Sequence, residues 1–490
     1  MTTLVPRAPY SDAELMTLYP PQLRLHQVQI LLRHGERTPV NARFTNAGLA
    51  PFWPYCSAMR QLRNAVLDPN TDRFSVLEWK RRLETMGPDD APVMASGPGG
   101  EWDGICDMGM LTDRGRATTF QLGQRLRKLY VDQLGFLPAG VKNTDFIYLR
   151  STPIPRALES LQQTLNGLYP LHTRADNFSP PTIISRALAD ETLYPNDSNC
   201  RRFAALARAF AQRAADRWND SEDMAYLNAK IGKWMPDESP RVAVDSRPRL
   251  SGIMDTINAT SAHGPETKLP KEFYDPKVKH ILEKIGVDEW YSGYRESKEY
   301  RTLGIGALLG DIVSRMVQSA QDSAKSDNGS KQQSNTPPRV RLGLSGCHDT
   351  TLAGVLASLG AFNEEAWPPF TSHVAIELFQ RTGTNNSSSS QSWWSSIFRG
   401  SISNSIGRKP SPELSERERK QLQGYYVRLR YNDRPVTIPG CKVPGKHLDG
   451  DESFCTLSIV DKFTPRNWKQ ECRTNIKASA FPAKPEPAGY

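Results

Sequence analysis

Val28-Gln29-Ile30-Leu31-Leu32-Arg33-His34-Gly35-Glu36-Arg37-Thr38-Pro39 is the stretch on which the fold turns. Val28, Ile30 and Leu32 alternate as apolar positions, the period-two pattern of a strand running into a core. Gly35 lets the backbone turn sharply, and Pro39 ends pairing soon after. The strand therefore delivers a histidine between two arginines. Two guanidiniums beside one imidazole repel unless an anion lies between them. Arginine suits bidentate phosphate recognition and stays charged at any working pH. Neighbouring positive charge keeps an imidazole neutral, the form that can accept a phosphoryl group. The pattern asks for a phosphate, with His34 placed to attack it.

Two further segments repeat the strand-then-turn theme. Val340, Leu342 and Leu344 alternate before Ser345-Gly346-Cys347-His348-Asp349, and Thr350 to Leu359 reads as a helix. A His-Asp pair at a helix N-terminus sits where anions are attracted. Phe146-Ile147-Tyr148-Leu149-Arg150-Ser151-Thr152 runs on to Arg156, Glu159 and Tyr169-Pro170.

The seven-residue Arg-His-Gly-x-Arg-x-Pro pattern, joined to these segments, resembles the signature of the histidine acid phosphatases, branch 2 of the histidine phosphatase superfamily. The resemblance covers about residues 24–170, 340–380 and 424–472, and runs loosely through 171–339. It takes in Leu111 to Gly115 with Gln121 to Arg127 as a first long helix, Trp367 to Phe379, and Tyr425 to Arg430 with Pro439-Gly440-Cys441. It implies a metal-independent phosphomonoesterase with a phosphohistidine intermediate and no cofactor. His34 would be the nucleophile and Asp349 the general acid. Arg33, Arg37, Arg156 and His348 would bind the phosphate, with Arg150 in support. Neither HExxH nor a CxxC pair occurs, so no metal is expected.

At 490 residues, length alone argues for two or three domains, and 38% hydrophobic residues suffice for a sizeable core. Catalytic pieces at 33, 156 and 348 must meet in space. The expected fold is α/β: a three-layer sandwich with a mixed central sheet plus an inserted helical cap subdomain. Strands are expected at roughly 25–32, 144–149, 340–345, 374–379 and 425–430. The organisation reads as an N-terminal extension (1–23), a catalytic α/β domain (24–170 and 340–475), a helical cap (171–320), a flexible loop (321–339), a low-complexity insertion (381–415) and a tail (476–490). Within the cap, Phe203 to Phe210 and Ile281 to Ile285 carry helical spacing. The charge of +9 suits anionic partners, yet no basic stripe with interleaved aromatics marks a nucleic-acid site. No run of about eighteen apolar residues suggests a membrane span.

Seven cysteines leave at least one unpaired. By the resemblance, Cys200 pairs with Cys472 and Cys441 with Cys455, leaving Cys56, Cys106 and Cys347 free. Such bridges belong to oxidising compartments. Residues 1–24, however, lack a secretory apolar region, and their acidic residues argue against a transit peptide. A cytoplasmic or mitochondrial setting fits the N-terminus best, and the compartment stays open. In the 381–415 insertion, Trp394, Ile397, Phe398, Ile402 and Ile406 fall at helical spacing opposite serines. A peripheral membrane contact through 393–406 is one reading of that pattern, and a disordered insertion is the other.

Within the family, the Arg150–Pro170 stretch and the Arg-His-Gly-Glu-Arg-Thr-Pro form look closest to the lysophosphatidic acid phosphatase type 6-like group. That implies a lipid phosphate held between core and cap. The phytase and inositol-polyphosphate phosphatase relatives are the alternative, for which Arg201, Arg202 and Arg208 are candidate cap contacts. A catalytically silent phospholipid-binding protein is a third reading.

Overall fold

The computed structural model describes residues 3–60, 62–71, 73–326, 339–362, 366–382, 406, 413–457 and 468–490. Strand β1 (Leu23–Arg33) lies near the middle of the main sheet. Two hairpins follow outside the main sheet, β2 (Leu62–Asp68) with β3 (Arg73–Trp79) and β4 (Glu84–Met86) with β5 (Pro92–Met94). The strands β6 (Ile147–Ser151), β7 (Ile183–Ile184), β8 (Leu342–Cys347), β9 (His373–Arg381), β10 (Tyr425–Tyr431), β11 (Arg434–Val436), β12 (His447–Leu448) and β13 (Asp451–Thr456) join β1 in a nine-stranded sheet. Its order is β12-β13-β10-β9-β1-β8-β6-β7, with β11 beside β10. β1, β8, β6 and β7 run parallel, whereas β9 lies antiparallel to β1, so the sheet is mixed.

The alternation in β1 sorts its side chains between two layers. Val28, Ile30 and Leu32 pack with Leu122 and Leu126 of helix Asp113–Arg127 and with Leu161 and Leu165 of helix Pro155–Leu168. The first of these helices starts at Thr112, whose hydroxyl accepts from the Gly115 N–H at 3.3 Å, an N-cap. On the other face Leu31 joins a separate apolar cluster. There the Gln29 side-chain amide donates to the Ile312 carbonyl at 2.8 Å and its oxygen accepts from Arg315 Nε at 2.7 Å, both on helix Ala307–Ser326. Helices thus cover both faces of the sheet, the α/β arrangement expected of the sequence.

Register brings the site together. Leu32 pairs with Gly346 and Arg33 with Cys347, while Ser151 also pairs with Gly346. Three parallel strands end level, so the residues that follow them emerge along one edge, where open α/β sheets bind ligands.

Between β7 and β8 the chain is helical: Arg201–Trp218, Glu222–Ile231, Leu250–Ser261, Pro276–Glu296 and Ala307–Ser326. Phe203, Phe210, Ile281 and Ile285 are buried in the cluster that holds Leu31. Helix Ala307–Ser326 occupies the first six residues of the 321–339 segment that composition marks as a loop. Residues 327–338 lie outside the described residues, as do Trp394, Ile397, Phe398 and Ile402. Ile406 packs into the apolar cluster. Among the described residues no helix is long and apolar enough to cross a membrane.

Cys200 is bonded to Cys472 and Cys441 to Cys455, and Cys347 is buried and unbonded. The expectation that Cys56 and Cys106 are free is overturned, because they form a third disulfide. The Cys106 N–H donates to the Trp53 carbonyl at 2.9 Å and the Cys56 N–H to Gly104 at 2.8 Å. These bonds hold the two Cα atoms 5.1 Å apart, within the span a disulfide bridges. Arg202, two residues after Cys200, forms two bonds of 2.7 Å to the Glu299 carboxylate and donates to the carbonyls of Ala478 and Ser479.

One buried charge network spans the antiparallel half of the sheet. Glu377 Oε2 accepts from Arg428 Nε at 3.0 Å and Nη2 at 2.7 Å. Its Oε1 accepts from the hydroxyls of Tyr19 (2.7 Å) and Tyr130 (2.9 Å), and lies 3.2 Å from Arg430 Nη2.

Candidate functional site

His34 follows the last residue of β1, in a turn that only glycine at 35 permits. A Cβ there would overlap the Gly115 backbone, and one at Gly115 would overlap the Glu36 carbonyl. This close approach seats the turn on helix Asp113–Arg127. His34 Nδ1 lies 2.8 Å from the Gly35 carbonyl oxygen. A carbonyl only accepts, so Nδ1 carries the proton and Nε2 holds the free lone pair. Burial, then Arg156, Arg37, Arg33 and His348, push the His34 pKa well below the usual imidazole range, so the ring is neutral.

The arginines around it are held by their outer nitrogens. Arg33 Nη2 lies 2.8 Å from Asp349 Oδ2, its Nη1 donates to the Pro368 carbonyl, and its guanidinium stacks 4.2 Å from the Phe370 ring. Arg37 Nη2 donates to Asp255 Oδ1 at 2.6 Å and Nη1 to the Thr38 carbonyl at 3.0 Å. Arg156 makes only a long 3.4 Å bond to the Gly109 carbonyl. The Nε atoms of all three are buried without a partner. Burial and the neighbouring Arg37 lower the Arg156 pKa to about 10, which leaves it charged. The strand ends have collected positive charge in excess of the acceptors supplied, the condition in which an anion is stabilised.

His348 ends the turn after β8, its ring centroid 5.5 Å from that of His34 and its Nε2 3.1 Å from Thr152 Oγ1. Burial and Arg156 hold its pKa at about 3. Asp349 opens helix Asp349–Ser358, accepting from Trp367 Nε1 at 2.9 Å through Oδ2 and from the Thr350 N–H at 2.8 Å through Oδ1. Burial pushes the Asp349 carboxyl up, but Arg33 and Trp367 hold it at about 2. Arg150 stands behind the site. It is fully buried, donates to Glu191 Oε1 at 2.6 Å, and so fixes the loop whose Leu193 carbonyl accepts from the Thr351 hydroxyl. The structure therefore gathers His34, Arg33, Arg37, Arg156, His348 and Asp349 at one edge and leaves Arg150 one layer back.

A cavity of about 540 Å³ opens from this cluster. His34, Arg37, Arg156, His348 and Asp349 form its floor, and Tyr194, Phe203, Ala204, Ala207, Ala211 and Tyr291 are among its walls. Of the three arginines singled out in the sequence as candidate cap contacts, Arg208 lines the cavity. Arg201 is exposed away from it, and Arg202 is buried against Glu299. Sequence reasoning did not pick out Asp255, Glu289, Tyr291 or Tyr194. Asp255 had a signal, as the only charged residue in Leu250–Ser261. Among the described residues no group of three or more His, Cys, Asp or Glu side chains is disposed to hold a metal ion.

A strand-end histidine among three arginines and a His-Asp pair defines a phosphoryl-handling class, and comparison agrees. The chain belongs to the histidine phosphatase superfamily (branch 2), whose model matches residues 24–432. It is 37% identical to a probable acid phosphatase of Schizosaccharomyces pombe over 90% of this chain and 91% of that protein. It is 28% identical to human lysophosphatidic acid phosphatase type 6 over 73% of this chain and 74% of that one. A solved structure of Bifidobacterium longum multiple inositol polyphosphate phosphatase, complexed with inositol hexasulfate, shares the fold. The TM-score is 0.51 at 11% identity, covering 94% of this chain and 96% of that one. The chain is a phosphomonoester hydrolase of the histidine acid phosphatase type.

Proposed function

We propose that the cavity hydrolyses a lipid phosphomonoester of the lysophosphatidate kind through a phosphohistidine on His34. The observation that carries the chemistry is the Nδ1–Gly35 bond, which presents Nε2 as a neutral nucleophile beside three guanidiniums. The phosphate sits among Arg33, Arg37, Arg156 and His348, which stabilise charge on the transferring group. His34 Nε2 bonds to phosphorus as the ester P–O bond breaks, and Asp349 gives its proton to the departing oxygen. Asp349 then takes a proton from the water that cleaves the P–N bond.

Asp349 is ionised against Arg33. A bound phosphate draws Arg33 away and adds negative charge, and a substrate monoanion brings the required proton. On this reading an acidic working range is expected. Asp349→Asn is expected to slow an alkyl phosphate by about 10²–10⁴-fold. An aryl phosphate, whose leaving group needs little protonation, should be slowed far less. Equal losses on both would remove Asp349 from the acid role.

The walls support the substrate class. We take residues 171–320 as a cap over the catalytic unit formed by 24–170 and 340–475. Its contribution to the cavity includes Phe203, Ala204, Ala207 and Ala211 with Tyr291 and Tyr294, an apolar stretch suited to an acyl chain, beside Asp197, Arg208, Arg249 and Glu289. A buried methylene is worth about 0.8 kcal/mol, so kcat/KM should rise about two- to fourfold per added methylene until the groove is full. Ala207→Phe should flatten that rise for long chains. A kcat/KM indifferent to chain length, or a preference for phytate over lysophosphatidate, would overturn the lipid reading and leave the phosphatase one standing.

A further inference from the structure

Glu289 sits in the same cavity as His34, Arg37 and Asp349, on helix Pro276–Glu296. Its side chain is only 2% exposed. Oε1 accepts from Arg249 Nη2 at 2.5 Å, while Oε2 is buried without a well-formed hydrogen bond, the Trp290 indole being the donor beside it. A buried carboxylate oxygen so poorly satisfied is costly, and none of the catalytic steps uses it. Arg249 is half exposed and lines both this cavity and the adjoining one of about 310 Å³ that reaches Arg33 and Asp349. The pair thus stands at the junction beside the phosphate floor, where the alcohol part of an ester would lie.

The chemistry of that position is selective. The Glu289 carboxylate is charge-balanced by Arg249, which leaves Oε2 to accept from a hydroxyl. We propose that Glu289, held by Arg249, is a specificity residue that accepts a hydrogen bond from a free hydroxyl on the alcohol part of the phosphomonoester. The inference rests on the cavity being the phosphomonoester site and does not require an acyl chain. Burial raises the Glu289 pKa while Arg249 opposes it, and in either protonation state the side chain can bond a hydroxyl.

The test uses a soluble pair, glycerol 1-phosphate and n-propyl phosphate, with wild type and Glu289→Leu. Wild type should favour glycerol phosphate about tenfold in kcat/KM, mostly through KM, because a site built to bond a hydroxyl rejects the analogue lacking it. The variant should lose that preference. A merely structural role would move both substrates alike, so an unchanged ratio in Glu289→Leu overturns the proposal, as does a wild type with no preference. Arg249→Gln is a second variant should Glu289→Leu not fold, and is expected to lower the ratio several-fold. His34→Ala run in parallel separates the two layers of inference. Turnover surviving in it refutes the active-site reading, whereas a flat ratio with turnover abolished refutes only the role of Glu289.

Discussion

His34→Ala is expected to lower turnover of an aryl phosphate by about 10⁴-fold or more. The other basic groups on the cavity floor are poor substitutes for the attack. The guanidiniums stay protonated, and Thr152 occupies His348 Nε2. Removing the imidazole leaves Arg33, Arg37 and Arg156 in place, so on the proposed roles the variant should still bind substrate while failing to transfer it. Rapid quenching of wild type with a labelled phosphomonoester should show protein-bound phosphate that survives base and is lost in acid, and the variant should show none. Residual activity within about tenfold of wild type, in a variant with native circular dichroism, would assign the nucleophile elsewhere.

Glu377→Ala is expected to cost about 3–5 kcal/mol of folding stability, read from urea unfolding. The substitution strips the only carboxylate among the described residues that bonds Arg428 and Arg430, both about 1% exposed, and abandons the Tyr19 and Tyr130 hydroxyls. Burial pushes the Glu377 pKa up, but Arg430 and Arg428 overcome this and hold it at about 2, against 4.5 for the free side chain. The folded-state value is depressed, so its contribution, on the order of 3 kcal/mol, is fully present above about pH 4.5 and disappears as pH falls through about 2. Wild-type stability should therefore decline below pH 4.5 with a steeper slope than that of Glu377→Gln. Parallel acid profiles for the two proteins would mean that Glu377 is not ionised in the folded state.

The sheet's central strands were legible because each carries a period-two apolar pattern ending in chemistry: Val28 to Leu32 before Arg33, and Leu342 and Leu344 before His348. Their parallel register, which makes the ends level, is a property of crossovers and not of any one segment. The paired arginines of the motif announced a phosphate, but their holders did not announce themselves. Asp255 lies 218 residues from Arg37 and meets it only through the packing of helix Leu250–Ser261. Glu289 looks like one more helical glutamate until burial and Arg249 are seen. The Cys56–Cys106 pairing, 50 residues apart, depends on the extended bridge at Trp53 and has no local sequence signature. The strands β11 and β12, of three and two residues, were also missed because they hold too few periods to read, and the six residues of β13 (Asp451–Thr456) carry no apolar alternation.

The tie between Cys200 and Cys472, reinforced by Arg202 on Glu299, Ala478 and Ser479, bears on how the enzyme selects. It anchors the start of the helix carrying Ala204, Ala207 and Ala211 to the far end of the chain. One wall of the cleft is thereby given a fixed gauge. Selection then works as in a die of set bore, in which an ill-fitting alcohol is refused at entry instead of being squeezed into place. Poor substrates should accordingly betray themselves in weak capture, while those that do seat are processed at nearly the common pace.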